Sequence, residues 1–126
     1  MVQVDISQLS GECNTWRETL RRHREEFSQD KMRLQQAASQ TLSKDQLRDV
    51  EHFHNQFHIQ LINIHDLKQA IKLHDRKLSF EIAANQDQLN QDTIADHEKL
   101  FDQYQVLEQT LLELRDEFGQ FLNRTR

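Results

Sequence analysis

Proline is absent from this chain, and its 126 residues include only two glycines and one cysteine. Hairpins and tight turns depend on glycine and proline, so their scarcity argues against a β-rich fold and favours long helices. Because Cys13 is single, it excludes an internal disulfide and a zinc cluster built from several cysteines, and it suits a small core position. The sequence therefore predicts an all-α protein.

Long apolar runs and a basic surplus are missing as well. No stretch approaches the roughly 20 apolar residues that cross a bilayer. The opening "MVQVDISQLS" lacks the basic leader and apolar core of a secretory signal. The formal net charge of −5 would repel phosphates, and nearby glutamates offset the short basic segment "RRHR" at 21–24. We therefore expect a cytoplasmic protein that binds neither membranes nor nucleic acid.

The chain instead carries apolar residues at alternating steps of three and four in three segments. This spacing predicts helices over about 5–39, 44–84 and 92–124, separated by "SQTLS" and by the polar "NQDQLNQD". Ser43 and Gln46 have the spacing of a capping box, which marks the start of the second helix. Three helices joined by two short loops are therefore expected.

The apolar seams also predict how the helices pack. If the chain folds back near residue 42, Phe27 of the first helix faces Phe57 of the second, and Phe57 in turn faces Phe118 of the third. All three seams mesh in these registers. We therefore predict one domain over 1–126, a long antiparallel up-down-up three-helix bundle with coiled-coil-like packing. Its shape resembles a spectrin-type repeat.

Several seam positions carry ionisable side chains, which predicts a polar core made of Asp30, His23, His54, Asp75 and His97. Buried polar groups need partners. The predicted register places Asp30 beside His54 as a buried ion pair and Asp75 one layer from His97, and it leaves His23 without a partner. Such layers fix the register of packed helices at some cost in stability.

Histidine is frequent, with seven residues, and two segments that contain it resemble a known family. "HNQFH" at 54–58 and "HEKLFD" at 97–102 are similar to pieces of the hemerythrin pattern, in which a di-iron centre in a helical bundle binds oxygen. The resemblance implies an alternative function, a metal-binding bundle. His54 and His58 are four residues apart and could share one ion, and the predicted register adds Asp30 as a further candidate ligand. The other interpretation is that most of these histidines face solvent and hold no metal or cofactor.

A second apolar set lies on the outer side of the second helix and consists of Ile59, Ile62, Leu73 and Phe80. Three of these residues are separated by multiples of seven, so they line up along one face. Exposed apolar residues that line up in this way predict an interaction surface.

Catalytic signals are missing, since the sequence has no Gly-rich loop, serine elbow or second acid beside an Asp–His pair. The sequence therefore predicts a non-enzymatic protein–protein interaction, scaffold or assembly module, with no catalytic residue and no small-molecule substrate. Its partner would be another protein or a second copy of itself.

Overall fold

The computed structural model describes residues 6–40, 42–84 and 89–125, and within them it contains three helices and no strand. The helices are α1 (Ile6–Ala38), α2 (Lys44–Ala84) and α3 (Gln91–Arg124). The predicted all-α fold is confirmed, although the predicted start of the first helix near residue 5 lies outside the described residues. None of the described helices is long and apolar enough to cross a membrane.

Side-chain caps define the starts of α2 and α3. The backbone amide of Gln46 donates to Ser43 Oγ at 3.2 Å, and the amide of Ser43 donates to Gln46 Oε1 at 2.9 Å. This reciprocal pair is the capping box that the sequence predicted. At α3 the side chain of Asn90 accepts a hydrogen bond from the amide of Asp92 at 3.0 Å. Both caps satisfy amides that have no partner inside the helix.

The contacts along α1 and α2 run in opposite directions. Near the start of α1, Ser10 Oγ donates to Asp75 Oδ1 near the end of α2 at 3.0 Å. Farther along α1, the ring of Phe27 lies 5.4 Å from that of Phe57, which is nearer the start of α2. The two helices are therefore antiparallel, and their interface is the most extensive of the bundle.

Helix α3 returns along α2 and completes a three-helix bundle. The rings of Phe57 and Phe118 lie edge to face with their centroids 5.0 Å apart. At the opposite end, Thr93 near the start of α3 donates a hydrogen bond to Glu81 near the end of α2. The core between the three helices is continuous and includes a cluster of five phenylalanines, Phe27, Phe53, Phe57, Phe118 and Phe121. Burying each large apolar side chain contributes about 1.5 to 3 kcal/mol.

The buried face of α2 differs from the predicted seam by a small rotation. One line of that seam, which runs from Phe57 to Leu78 in steps of seven, is buried as expected. The other line is displaced by one residue, so that Phe53 lies in the core and His54 is exposed. Burying the Phe53 ring in place of the His54 ring removes more apolar surface from water, which favours the observed rotation.

Candidate functional site

The outer side of α2 carries the four apolar residues that the sequence placed there. Ile59 is 45% exposed, Ile62 is 47% exposed, Leu73 is 62% exposed and Phe80 is 76% exposed. They lie opposite the buried face of the helix, so they contribute nothing to the core of the chain. Large exposed side chains in one row are a common feature of surfaces that bind other helices.

These four residues belong to a longer row on α2, which we call the outer stripe: Ile59, Ile62, Asp66, Gln69, Leu73, Arg76, Phe80 and Ala83, all exposed. The row follows the alternating three and four spacing of a coiled-coil seam. Asp66 and Arg76 have no ion-pair partner within the described part of the chain. The outer stripe therefore combines exposed apolar residues with two unpaired charges of opposite sign.

Asp30, predicted to lie in the polar core, is 1% exposed. Its partner is Arg115 of α3, which donates from Nε to Oδ2 at 2.8 Å and from Nη2 to Oδ1 at 3.3 Å. Arg115 also donates from Nη1 to Glu26 Oε2 at 2.6 Å. The hydrogen bonding with Asp30 raises the pKa of Arg115, which keeps the guanidinium charged.

The predicted ion pair between Asp30 and His54 is wrong, because His54 is exposed on α2 and Asp30 is held by Arg115. His58 is exposed as well. The three candidate ligands of the hemerythrin-like hypothesis, His54, His58 and Asp30, are therefore not brought together. The physical reason is the rotation of α2, which places Phe53 in the core and leaves His54 exposed.

His23, which the sequence left without a partner, is buried between two carboxylates. Its Nε2 lies 3.7 Å from Glu108 Oε2 of α3, and its Nδ1 lies 4.0 Å from Glu26 Oε2. Glu108 also accepts a hydrogen bond from the hydroxyl of Tyr104 at 2.6 Å.

Asp75, which was also predicted to lie in the polar core, is half-buried. It accepts the hydrogen bond from Ser10, and its Oδ2 lies 3.4 Å from Arg17 Nη2.

His97 is buried as predicted, but its neighbour is His74 rather than Asp75. His74 Nε2 and His97 Nδ1 are 3.0 Å apart. The rotation of α2 brings His74 into the core. Burial, and next the adjacent His97, lower the pKa of His74, so its neutral form is favoured.

Cys13 of α1 completes a cluster with these two histidines. Its Sγ and one ring nitrogen from each of His74 and His97 all lie within 4.8 Å of one another. The three helices contribute one residue each, and all three residues are buried. Burial raises the pKa of Cys13 to about 11, which keeps the free thiol protonated. Within the described part of the chain, this is the one group of three ligand-type side chains close enough to share a metal ion.

The sequence interpretation missed Arg115, Cys13 and His74 as partners in polar sites. Arg115 follows the buried Leu114 and reaches Asp30 only because α3 lies parallel to α1. The apolar spacing of α2 is compatible with two buried faces, one that contains His54 and one that contains Phe53. His74 lies on the face with Phe53, and the presence of that phenylalanine was the sequence feature that could have identified this face as the buried one.

Comparisons with known protein families, with curated proteins and with solved structures find no match to this chain.

Proposed function

We propose that this protein is a non-enzymatic assembly module that pairs with a second copy of itself through the outer stripe of α2. The observation that carries the proposal is the stripe itself, which has coiled-coil spacing and lies opposite the core. These four large apolar side chains lie in one row on the far side of α2 from the core, where packing within the chain does not require them. Their exposure favours a partner surface with the same helical spacing.

The charges of the stripe select an antiparallel arrangement of two copies. With the twofold axis passing at the level of Ile71, Asp66 of one copy faces Arg76 of the other, and the same pair occurs twice by symmetry. In this register Ile62 faces Phe80 of the second copy. The remaining pairs are Ile59 with Ala83 and Gln69 with Leu73. A parallel pairing would instead place like residues opposite each other, with Asp66 against Asp66 and Arg76 against Arg76.

The pairing is a twofold interface, in which the same surface serves both partners. The stripe extends over about 36 Å of helix, at 1.5 Å per residue. Apolar residues occur at both ends of the stripe, and Leu73 lies between the two charges, Asp66 and Arg76. This arrangement supports association driven by apolar burial with the register fixed by the two ion pairs.

The mass of the protein in solution, measured by light scattering or sedimentation over a range of concentrations, tests the proposal. We expect a dimer whose population and melting temperature rise with protein concentration. Leu73→Glu together with Phe80→Glu should give a monomer with unchanged helicity. Met32→Glu on α1 is the matched control, because Met32 is also 62% exposed but lies outside the stripe.

A charge exchange tests the register. Asp66→Arg alone or Arg76→Asp alone places like charges together and should weaken the dimer by at least about tenfold. The double variant restores opposite charges and should recover the dimer. A wild-type chain that stays monomeric at the highest concentrations would contradict self-assembly, whereas a dimer that the double variant does not restore would contradict only the register.

A further inference from the structure

The cluster of Cys13, His74 and His97 lies in the core, on the opposite side of α2 from the outer stripe, and takes no part in the proposed pairing. Cys13 alone would suit a small core position, but here its thiol lies beside two buried imidazoles. His74 Nε2 and His97 Nδ1 lie 3.0 Å apart in the core, and each buried polar atom of these rings must find a partner. The hydrogen bond between His74 Nε2 and His97 Nδ1 satisfies one nitrogen of each ring.

The second nitrogen of His97 supports a ligand at this cluster. His97 is 4% exposed, and its buried Nε2 makes no hydrogen bond within the described part of the chain. The nearest charged group is the carboxylate of Glu12, whose Oε2 is 3.5 Å away. A histidine that binds a metal through one nitrogen commonly directs its other N–H to a carboxylate, which fixes the ring. His97 has this geometry, with Nδ1 toward the cluster and Nε2 toward Glu12.

We infer that Cys13, His74 and His97 bind a divalent transition-metal ion of the zinc type through one thiolate sulfur and two imidazole nitrogens. Thiolate and imidazole suit zinc, whereas magnesium and calcium prefer oxygen ligands. Zinc bonds of about 2.0 to 2.3 Å in tetrahedral geometry place ligand atoms about 3.3 to 3.6 Å apart. A cluster that spans 3.0 to 4.8 Å needs side-chain shifts on the order of 1 Å to reach it.

Binding of the ion changes the protonation of the cluster. Cys13 loses its thiol proton to solvent, and the thiolate donates an electron pair to the metal. One hydrogen lies between the two nitrogens that face each other, His74 Nε2 and His97 Nδ1. This hydrogen moves to the other nitrogen of the ring that carried it, so both facing nitrogens become free to bind the metal. On His97 the other nitrogen is Nε2, whose N–H then faces the carboxylate of Glu12. Because each helix supplies one ligand, the ion would connect all three helices.

Cobalt(II) added to metal-free protein without a histidine tag tests the site. Cobalt replaces zinc in such sites, and a bond to thiolate gives a charge-transfer absorption band in the near ultraviolet. Cys13 is the only cysteine, so this band can report no other residue. Trp16, the only tryptophan, has its ring 4.9 Å from that of His97, and its fluorescence should change with the same stoichiometry. We expect saturation at one ion per chain, displacement by zinc and a higher melting temperature.

Variants separate this site from the surface histidines. His54→Ala with His58→Ala should leave the band unchanged, whereas Cys13→Ser should abolish it. Glu12→Gln removes the carboxylate beside His97 and should weaken cobalt binding roughly 10- to 100-fold while keeping the band. Glu18→Gln, an exposed substitution on the same helix, is its matched control.

Absence of a thiolate band in the wild-type protein would overturn the inference, even if Cys13→Ser fails to fold. Cobalt binding that disappears with His54→Ala and His58→Ala would assign the ion to the surface histidines, and this result would also overturn the inference. Neither result bears on the proposed dimer, since the outer stripe contains none of these residues.

Discussion

Arg115 of α3 holds Asp30 of α1 through two hydrogen bonds, at 2.8 and 3.3 Å, in the interior of the bundle. The two helices are parallel, and their shared interface is the least extensive of the three. A two-point contact between a planar guanidinium and a carboxylate restricts both distance and orientation. The pair therefore helps to fix the position of α3 along α1.

A double-mutant cycle on Asp30 and Arg115 should show strong coupling. Arg115→Met leaves the buried carboxylate of Asp30 with only its contact to Arg33, whose Nη1 is 3.5 Å from Asp30 Oδ1. We therefore expect a loss of about 3 to 5 kcal/mol in the free energy of unfolding. Asp30→Leu should cost less, because Arg115 keeps Glu26 and is partly exposed. The double variant should be neutral or more stable by about 1 to 4 kcal/mol. Urea denaturation measures all four chains, and a coupling energy near zero would mean that the pair does not form.

His54 provides a contrasting test on α2. His54 is exposed, and the partner of Asp30 is Arg115. His54→Leu should therefore change the free energy of unfolding by no more than about 0.5 kcal/mol. The coupling between Asp30→Leu and His54→Leu should be absent within error. A substantial coupling in the same urea experiments would restore the helix phase that the sequence alone predicted.

Ser43→Ala should destabilise the protein by about 1 kcal/mol, because the amide of Gln46 loses its acceptor at the start of α2. Ser28→Ala is the control, since Ser28 is an exposed mid-helix serine whose hydroxyl bonds to the carbonyl of Arg24. Alanine there should be neutral or slightly stabilising. Equal effects of the two substitutions on the denaturation midpoint would argue against the cap.

Tyr104 should ionise at unusually high pH. Burial, and next its hydrogen bond to Glu108, raise the pKa of Tyr104 to about 12. In the unfolded chain it should titrate near the ordinary value of about 10. A raised pKa in the folded state stabilises the fold below the unfolded value, so this contribution should decline as pH rises from about 10 to 12. Ultraviolet titration of tyrosinate measures this directly, because Tyr104 is the only tyrosine.

Glu108→Gln tests the cause of that shift. Without the carboxylate charge the pKa of Tyr104 should move back toward the ordinary value, while Glu117→Gln, an exposed substitution farther along α3, should leave it unchanged. A tyrosine that titrates identically in the folded and unfolded chains would show that its hydroxyl is in water.

The local features of this protein follow from its sequence, because they depend on neighbouring residues. Helix type follows from composition and from the spacing of apolar residues, and the start of α2 follows from Ser43 and Gln46. The pairing of Phe27 with Phe57 and of Phe57 with Phe118 also follows, since it needs only two short loops and three meshing seams. The outer position of Leu73 and Phe80 is common to both phases of α2.

The tertiary structure decided which of two neighbouring helix phases is buried. Both contain Phe57 and the residues that follow it in steps of seven, so spacing alone cannot separate them. Packing against α1 and α3 together selects the phase with Phe53 inside, since its ring buries more apolar surface than that of His54. That rotation separates Asp30 from His54 and brings His74 to His97 and Cys13. Polar partners depend on rotations of one residue between helices that are distant in sequence, and only packing determines those rotations.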